Sequence, residues 1–329
     1  MQLYIHFFFT HTLLFPILPQ QKRKFLSKNM NKTKAWITAL RLRTLPLSVS
    51  GVITGSLIAL SKSVFDWKVF FLALTTTLFL QILSNLANDY GDNQNGADNL
   101  DRIGPERMVQ SGVISAKEMK RMIVLFATMA SILGVCLLLI SHLVLFSVSF
   151  FVLLILGILA IWAALTYTIG NNPYGYSGWG DLSVFLFFGL LSVTGTYYLY
   201  AGEITPDVFL PAISIGALSV GVLNINNMRD HDNDKAAGKN TVVVKIGVSK
   251  AKYYHTALLV IALIASLLYM FVNHIYYPGY LFVFILIPLT KHLLHIFHFQ
   301  NSSSFDKELK KLALITILFS LAFGTGINI

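Results

Sequence analysis

The residues best suited to chemistry lie in two short polar segments of the chain. The first runs from residue 85 to residue 98 and the second from residue 226 to residue 234; with Asp101 they hold seven of the fifteen acidic residues. Carboxylates this close repel one another unless cations lie between them. Clusters of oxygen donors of this kind suit Mg²⁺. In proteins, a Mg²⁺ ion bound by carboxylates usually also binds a phosphate group. The segments therefore predict a magnesium site for a diphosphate substrate.

The spacing within each segment places the polar side chains on one face of a helix. Spacings of three and four residues bring side chains together on a helical surface, and Asp98, which follows Gly96, is expected to reach the site from a loop. An acidic, solvated helix end is the alternative, although the helix dipole disfavours acids at a C-terminus. The predicted ligands are Asn85, Asn88, Asp89, Asp92 and Asp98 in the first segment and Asn226, Asp230 and Asp234 in the second.

Basic residues follow both segments closely. Diphosphate recognition needs Lys or Arg donors in addition to metal, and Arg107, Arg229 and Lys239 are the best candidates. Arg41 and Arg43 are candidates for binding a phosphate or the carboxylate of an acceptor. The alternative for all of them is the positive-inside rule, or snorkelling to the interface, which requires no ligand.

Composition places these segments in a membrane protein. The chain is 55% hydrophobic and 12% charged, with a mean hydropathy of +0.66, whereas soluble domains carry about 25% charged residues. Runs of about 20 apolar residues are expected to span a bilayer. Nine spans are predicted, at residues 44–61, 69–88, 121–141, 143–166, 181–201, 208–227, 255–275, 279–298 and 309–327.

The distribution of Lys and Arg predicts the orientation. With the N-terminus in the cytoplasm, only Lys62 and Lys68 fall outside, so the net charge of +10 reflects topology rather than a nucleic-acid patch. Both acidic segments then face the cytoplasm. Residues 1–29 are an uncertain extension, and Met30 is a candidate start. Residues 30–329 are expected to form a single transmembrane domain.

Several motifs resemble those of the UbiA-type superfamily of intramembrane aromatic prenyltransferases. The second segment fits that superfamily's Asn-x-x-x-Asp-x-x-x-Asp motif, whereas the first has Gly96 where an acid is usual and Asp98 beyond it. The first segment, the Tyr-Gly-Tyr loop after Tyr167 and the residues from Asn226 onward are most similar to the 1,4-dihydroxy-2-naphthoate polyprenyltransferase subfamily.

The resemblance implies an all-α polytopic membrane protein with nine helices around a central cavity that opens laterally to lipid. It implies Mg²⁺-dependent transfer of a polyprenyl group from polyprenyl diphosphate to 1,4-dihydroxy-2-naphthoate in menaquinone synthesis. Diphosphate and CO₂ would leave in the reaction. The protein would lie in the inner membrane of a bacterium, with its active site facing the cytoplasm. Asp92 and Asp230 are then expected to be catalytic, and Tyr167 matches a family position near the prenyl diphosphate.

Two other functions are weighed against this one. Another member of the superfamily would use a 4-hydroxybenzoate, homogentisate or protohaem acceptor. An ion-coupled transporter would also place acids in a membrane protein, but usually near the midplane of broken helices rather than at their cytoplasmic ends.

Overall fold

Helices form all the regular structure in the computed structural model, which describes residues 30–97, 104, 106–276, 279–298 and 302–329. Within these residues, nine helices are long and apolar enough to cross a membrane. The prediction of an all-helical membrane protein with nine spans is therefore confirmed. Asp98, Asp101 and residues 1–29 lie outside the described residues, so their predicted roles stay predictions.

The helices are numbered here in chain order. They are α1 Lys32–Leu40, α2 Leu45–Ser61, α3 Trp67–Gln94, α4 Ala116–Ile140, α5 Val148–Thr166, α6 Gly180–Ala201, α7 Phe209–Ala236, α8 Val242–Ile246, α9 Val248–Val272, α10 Leu286–His298 and α11 Ser302–Gly326. A short 3₁₀ helix, Gly279–Ile285, precedes α10, and α1 and α2 together make the first span.

Polar side chains define where several spans begin. The carboxylate of Asp66 accepts the backbone N–H of Lys68 at the start of α3. Ser115 and Glu118 form a reciprocal capping box at the start of α4. These caps satisfy N–H groups that have no partner within the helix, so the spans begin at sites that the local sequence specifies.

The two helices that carry the polar segments are longer than their apolar runs. The sequence predicts spans at 69–88 and 208–227, whereas α3 continues to Gln94 and α7 continues to Ala236. Periodicity in hydropathy ends where the polar residues begin, although the backbone remains helical. The predicted Asn and Asp ligands among the described residues are consequently held on helix rather than on loops.

Close backbone contact fixes α6 against α7. A Cβ atom added to Gly189 of α6 would lie 2.5 Å from the Cα atom of Gly216 in α7. Small residues at membrane helix crossings allow such approach. Between Phe185 and Gly195, α6 is wound as a π-helix, a rare form that is frequent at functional sites.

Candidate active site

A cavity of about 680 Å³ lies between α2, α3, α4, α5, α6 and α7. Its wall along α4, α5 and α6 is mostly apolar. Its charged lining, among the described residues, lies where α3 and α7 end and comprises Asp92, Asp230, Asp234, Arg41, Arg43, Arg107 and Lys239. The cavity thus joins an apolar chamber to a polar end that holds both signs of charge.

Asp92 lies at the centre of the polar end. Its Oδ1 accepts a hydrogen bond from the Tyr176 hydroxyl at 2.7 Å and from Lys239 Nζ at 3.2 Å. Its Oδ2 pairs with the guanidinium of Arg107. The carboxylate is buried, and a buried charge is tolerated only when it is paired. Asp92 therefore binds basic groups contributed by two different loops.

Lys239 brings the two polar segments together. Its ammonium nitrogen lies 3.2 Å from Asp92 Oδ1 on α3 and 3.5 Å from Asp234 Oδ1 on α7. It also lies 4.4 Å from the centre of the Tyr176 ring, within the range of a cation–π interaction. Because one ammonium contacts a carboxylate of each segment, the ends of α3 and α7 lie close together, as a shared site requires.

Asp230 is held by its neighbour in sequence. Arg229 donates from Nε to Asp230 Oδ1 at 2.9 Å and from Nη2 to Asp230 Oδ2 at 2.7 Å. Arg229 Nη2 also donates to Asn226 Oδ1 at 2.8 Å. Asn226 and Asp230 line the cavity, but Arg229 is absent from its described lining. Arg229 therefore binds two predicted ligands without lining the cavity itself, and its predicted contact with diphosphate stays a prediction.

Asp89 faces a loop rather than the cavity. Its two carboxylate oxygens accept the backbone N–H groups of Met108 and Val109 at 2.9 and 3.1 Å. Asp89 is buried and is not part of the described cavity lining. The carboxylate thus anchors the segment that carries Arg107, because two backbone donors left unsatisfied there would be costly.

Asn85 lines the cavity, but its side-chain amide hydrogen-bonds to the turn between α1 and α2. Its Nδ2 donates to the Leu40 carbonyl at 2.9 Å and to Thr44 Oγ1 at 3.0 Å, and its Oδ1 accepts from Gln81. At this turn Arg41 adopts a left-handed conformation with φ of 50°. The amide therefore fixes the turn between α1 and α2, which is a different use from the predicted metal ligation.

Asn88 and Thr168 face each other beside the cavity. The Thr168 hydroxyl lies 3.2 Å from Asn88 Oδ1 and 3.1 Å from the Ala87 carbonyl. Asn88 lines the cavity one helical turn before Asp92. Its oxygen therefore remains a candidate ligand on the same face of α3 as Asp92.

Arg41 and Arg43 both line the cavity from the turn between α1 and α2. Arg43 Nη1 donates to Asp306 of α11 at 3.1 and 3.4 Å to the two carboxylate oxygens. This ion pair ties the Arg43 side chain to α11. Binding of an anionic group by Arg41 and Arg43 stays a prediction.

Tyr167 ends the helical run of α5 and lines the cavity. Its ring packs edge-to-face on Tyr174 with centroids 5.3 Å apart. Burial raises the pKa of Tyr167, and burial also raises the pKa of Tyr174. Both phenols therefore remain protonated at neutral pH and act as donors and ring faces rather than as bases.

The donor set suits a divalent metal shared with a ligand better than a closed metal cage. Within the described ranges, no three His, Cys, Asp or Glu side chains converge on one point. Carboxylate and amide oxygens instead face the cavity from α3 and α7. Mg²⁺ is usually held by one or two carboxylates plus substrate phosphates, so these oxygens fit a magnesium site completed by a diphosphate.

Two residues at the site are missed by the sequence reasoning. Tyr176 lies in the Tyr-Gly-Tyr loop, where a resemblance is visible but no contact with Asp92 can be read. Asp306 binds Arg43 and Arg229 from α11, yet an acid among lysines at the start of the last span has the pattern of a solvated helix end. Chain order separates it from Arg229 by 77 residues.

The chain is similar to known proteins over most of its length. Residues 48–323 match the model of the UbiA prenyltransferase family. The chain is 43% identical to the 1,4-dihydroxy-2-naphthoate octaprenyltransferase of Haemophilus influenzae over 92% of this chain and 99% of that protein. It is 42% identical to the Escherichia coli protein of the same name, over 91% of this chain and 97% of that protein.

Solved structures share the fold at low sequence identity. A UbiA homolog from Aeropyrum pernix superposes with a TM-score of 0.58 at 17% identity, over 88% of this chain and 96% of that chain. A UbiA homolog from Archaeoglobus fulgidus, bound to DMAPP and Mg²⁺, superposes with a TM-score of 0.56 at 15% identity, over 89% and 99%. With the family match over most of its length, this chain belongs to the UbiA prenyltransferase family.

Proposed function

We propose that this protein transfers a polyprenyl group from polyprenyl diphosphate to 1,4-dihydroxy-2-naphthoate. The bond between C1 of the prenyl group and its diphosphate oxygen breaks, a carbon–carbon bond to the ring forms, and diphosphate and CO₂ leave. The product is a demethylmenaquinol, an intermediate of menaquinone synthesis. The observation that carries the proposal is the Lys239 ammonium that joins Asp92 and Asp234 at the mouth of an apolar cavity.

The choice of acceptor follows from the relatives. Proteins named 1,4-dihydroxy-2-naphthoate octaprenyltransferase align with more than nine-tenths of this chain at 42 and 43% identity. Arg41 and Arg43 line the same cavity and supply donors for the acceptor carboxylate, since arginine binds carboxylates through paired N–H groups.

The residues divide the work of the reaction. Bound Mg²⁺ would supply positive charge that stabilises diphosphate as a leaving group, and Asn88, Asp92, Asn226, Asp230 and Asp234 would hold it. Arg107 and Lys239, which contact Asp92, would bind phosphate oxygens. The apolar wall keeps water from the allylic carbon, and the Tyr167 ring face can stabilise positive charge there.

The same assignment gives a location. Nine spans make this a multi-pass membrane protein. We propose that it lies in the inner membrane of a bacterium with its N-terminus and the polar end of the cavity in the cytoplasm. The distribution of Lys and Arg along the loops supports this orientation.

The test is product identity with purified protein in vesicles. Labelled polyprenyl diphosphate is supplied with 1,4-dihydroxy-2-naphthoate, 4-hydroxybenzoate or homogentisate, and products are identified by mass. We expect a prenylated, decarboxylated product from the naphthoate alone. A product from either other acceptor at an equal rate contradicts the proposed acceptor.

Diphosphate release tests the metal site. Chelation of divalent cations should stop release and added Mg²⁺ should restore it. Asp92→Asn and Asp230→Asn should each slow release by about 100-fold or more, since metal charge stabilisation is worth several kcal/mol. Asp232→Asn is the matched control, because the Asp232 side chain is 96% exposed. Full release by both site variants would refute the metal-site assignment.

A further inference from the structure

Asp306 is a buried carboxylate at the start of α11 that binds three basic side chains. It accepts from Arg229 Nη1 at 2.8 Å and from Arg43 Nη1 at 3.1 Å, and its other oxygen lies 3.3 Å from Lys310 Nζ. Asp306 is not part of the described cavity lining, whereas Arg43 is. The carboxylate thus touches the site only through other residues.

Arg229 connects Asp306 to a predicted metal ligand. One edge of its guanidinium, Nε and Nη2, binds both oxygens of Asp230, and the remaining nitrogen, Nη1, binds Asp306. The Arg229 side chain is 1% exposed, so its charge is shared between two carboxylates with little screening by water. Asp306, Arg229 and Asp230 thus form a chain of hydrogen bonds from α11 to the cavity.

The electrostatic potential at Asp230 depends on whether Arg229 is paired with Asp230 alone or with both Asp230 and Asp306. If Asp306 were neutral, Arg229 would pair with Asp230 alone and offset its charge, and Asp230 would attract a divalent cation less strongly. Removing Asp306 would also leave Nη1 of Arg229 without its carboxylate acceptor, while Nε and Nη2 stay bound to Asp230. Groups that hold metal ligands from behind commonly change metal affinity by about 10–100-fold when replaced.

We propose that Asp306 is a positioning residue for divalent-cation binding by Asp230, acting through Arg229. Asp306 also binds Arg43, so one carboxylate contacts both arginines. The inference rests on the proposed function in taking the Asp230 side chain as a metal ligand. It assigns to α11 a role in the site that its sequence position does not suggest.

A purely structural role for Asp306 is the competing explanation, and α11 contains a matched control. Glu308 is also buried and lies two residues further along the helix. It pairs with His292 at 2.7 Å and with Lys311 at 2.6 Å, and with neither arginine of the site. Neutralising Glu308 should therefore weaken the packing of α11 without changing the charge on Asp230.

The experiment measures cation binding without turnover. Wild-type protein, Asp306→Asn and Glu308→Gln are purified in detergent, and the thermal unfolding midpoint is followed as Mg²⁺ is titrated at fixed inorganic diphosphate. For Asp306→Asn we expect the Mg²⁺ concentration that gives half of the thermal stabilisation to rise about 10–100-fold. For Glu308→Gln we expect a lower midpoint without Mg²⁺ but a Mg²⁺ dependence within about twofold of wild type.

Rescue separates charge from shape. Asp306→Glu retains the charge and should bind Mg²⁺ within about threefold of wild type, since the arginine keeps a carboxylate partner. Asp306→Ser replaces Asp306→Asn if the latter does not fold, with the same expected loss. The inference is overturned if the neutral variant binds Mg²⁺ like wild type, if Glu308→Gln weakens binding equally, or if Asp306→Glu is as weak as the neutral variant.

The result is distinguishable from a failure of the proposed function. The titration uses no acceptor and no prenyl donor. Weakened Mg²⁺ binding by Asp306→Asn, in a protein that does not prenylate the naphthoate, retains the positioning role and refutes the acceptor. Prenylation of the naphthoate by wild type, together with unchanged Mg²⁺ binding by Asp306→Asn, retains the acceptor and refutes the positioning role.

Discussion

Single carboxylates at this site differ in what surrounds them rather than in their chemistry. Asp89 and Asp92 are separated by one helical turn of α3, yet Asp89 accepts backbone N–H groups while Asp92 accepts from Tyr176, Arg107 and Lys239. These two donors to Asp89 are backbone groups of one loop, whereas the three donors to Asp92 are side chains. We expect Asp92 to exchange one of these side-chain partners for a cation, so that the released basic group can bind a phosphate.

The Tyr176 hydroxyl gives a prediction at the scale of one hydrogen bond. Tyr176→Phe keeps the ring beneath Lys239 but removes the donor to Asp92. A hydrogen bond to a charged group contributes about 1.5–3 kcal/mol, so diphosphate release should slow by about 10-fold or more. Stopped assays that quantify released diphosphate measure this directly.

Two further variants control for the ring and for the general loss of a hydroxyl. Tyr176→Leu removes the cation–π contact as well and should be slower again by a few-fold. Tyr198→Phe loses a hydroxyl bonded to Ser149, away from the cavity lining, and should release diphosphate normally. Equal rates for Tyr176→Phe and wild type would show that Asp92 needs no donor from this loop.

At the scale of elements, the site depends on helices that continue past their apolar runs. α3 and α7 present Asn and Asp side chains on rigid backbone, and α6 provides a broad π-helical wall opposite them. Helix positions fixed by close packing keep these groups within reach of one another. The crossing of α6 and α7 is the contact that leaves least room for change.

Added methyl groups test this crossing. Gly189→Ala places a Cβ 2.5 Å from backbone of Gly216, and overpacking of this kind costs about 1–3 kcal/mol. Gly157→Ala in α5 is the control, because nothing lies within 4 Å of the added atom. Alanine in a helix should stabilise that variant by about 0.5–1 kcal/mol relative to glycine.

Thermal unfolding in one detergent compares the two variants. We expect a lower midpoint than wild type for Gly189→Ala and an equal or higher midpoint for Gly157→Ala. The same midpoint for both variants would mean that α6 and α7 separate at no cost, contrary to the close contact between their backbones.

At the scale of the whole molecule, one cavity combines a hydrophobic chamber with a charged mouth. Among the described residues, its volume of about 680 Å³ is lined by seven helices, including α11 through Leu309, so no single segment of the chain defines it. Orientation in the membrane then decides which compartment supplies the metal and the diphosphate.

Cysteine labelling tests that orientation. The sequence has one cysteine, Cys136, and Cys136→Ser gives a background without thiols. Lys34→Cys and Lys68→Cys then place single thiols at exposed positions near the first and second spans. A membrane-impermeant maleimide should label the second thiol in intact spheroplasts and the first only after permeabilisation. The reverse pattern would invert the proposed topology.

Much of the fold could be predicted because its signals are local. Apolar length determines spans, Lys and Arg bias predicts orientation, and spacings of three and four predict shared helix faces. The number of spans is confirmed on this basis. Boundaries at the polar ends were less accurate, since hydropathy changes before the helix ends in α3 and α7.

By itself, the sequence determined that this is a nine-span membrane protein with oxygen donors at the ends of two helices. Only the tertiary structure decided which donors face the cavity: Asp92 and Asp230 do, while Asp89 holds a loop and Arg229 lies behind Asp230. It also brought Asp306 to Arg229. The physical reason is that helical spacing fixes a side chain's direction, whereas its partner depends on how distant helices pack.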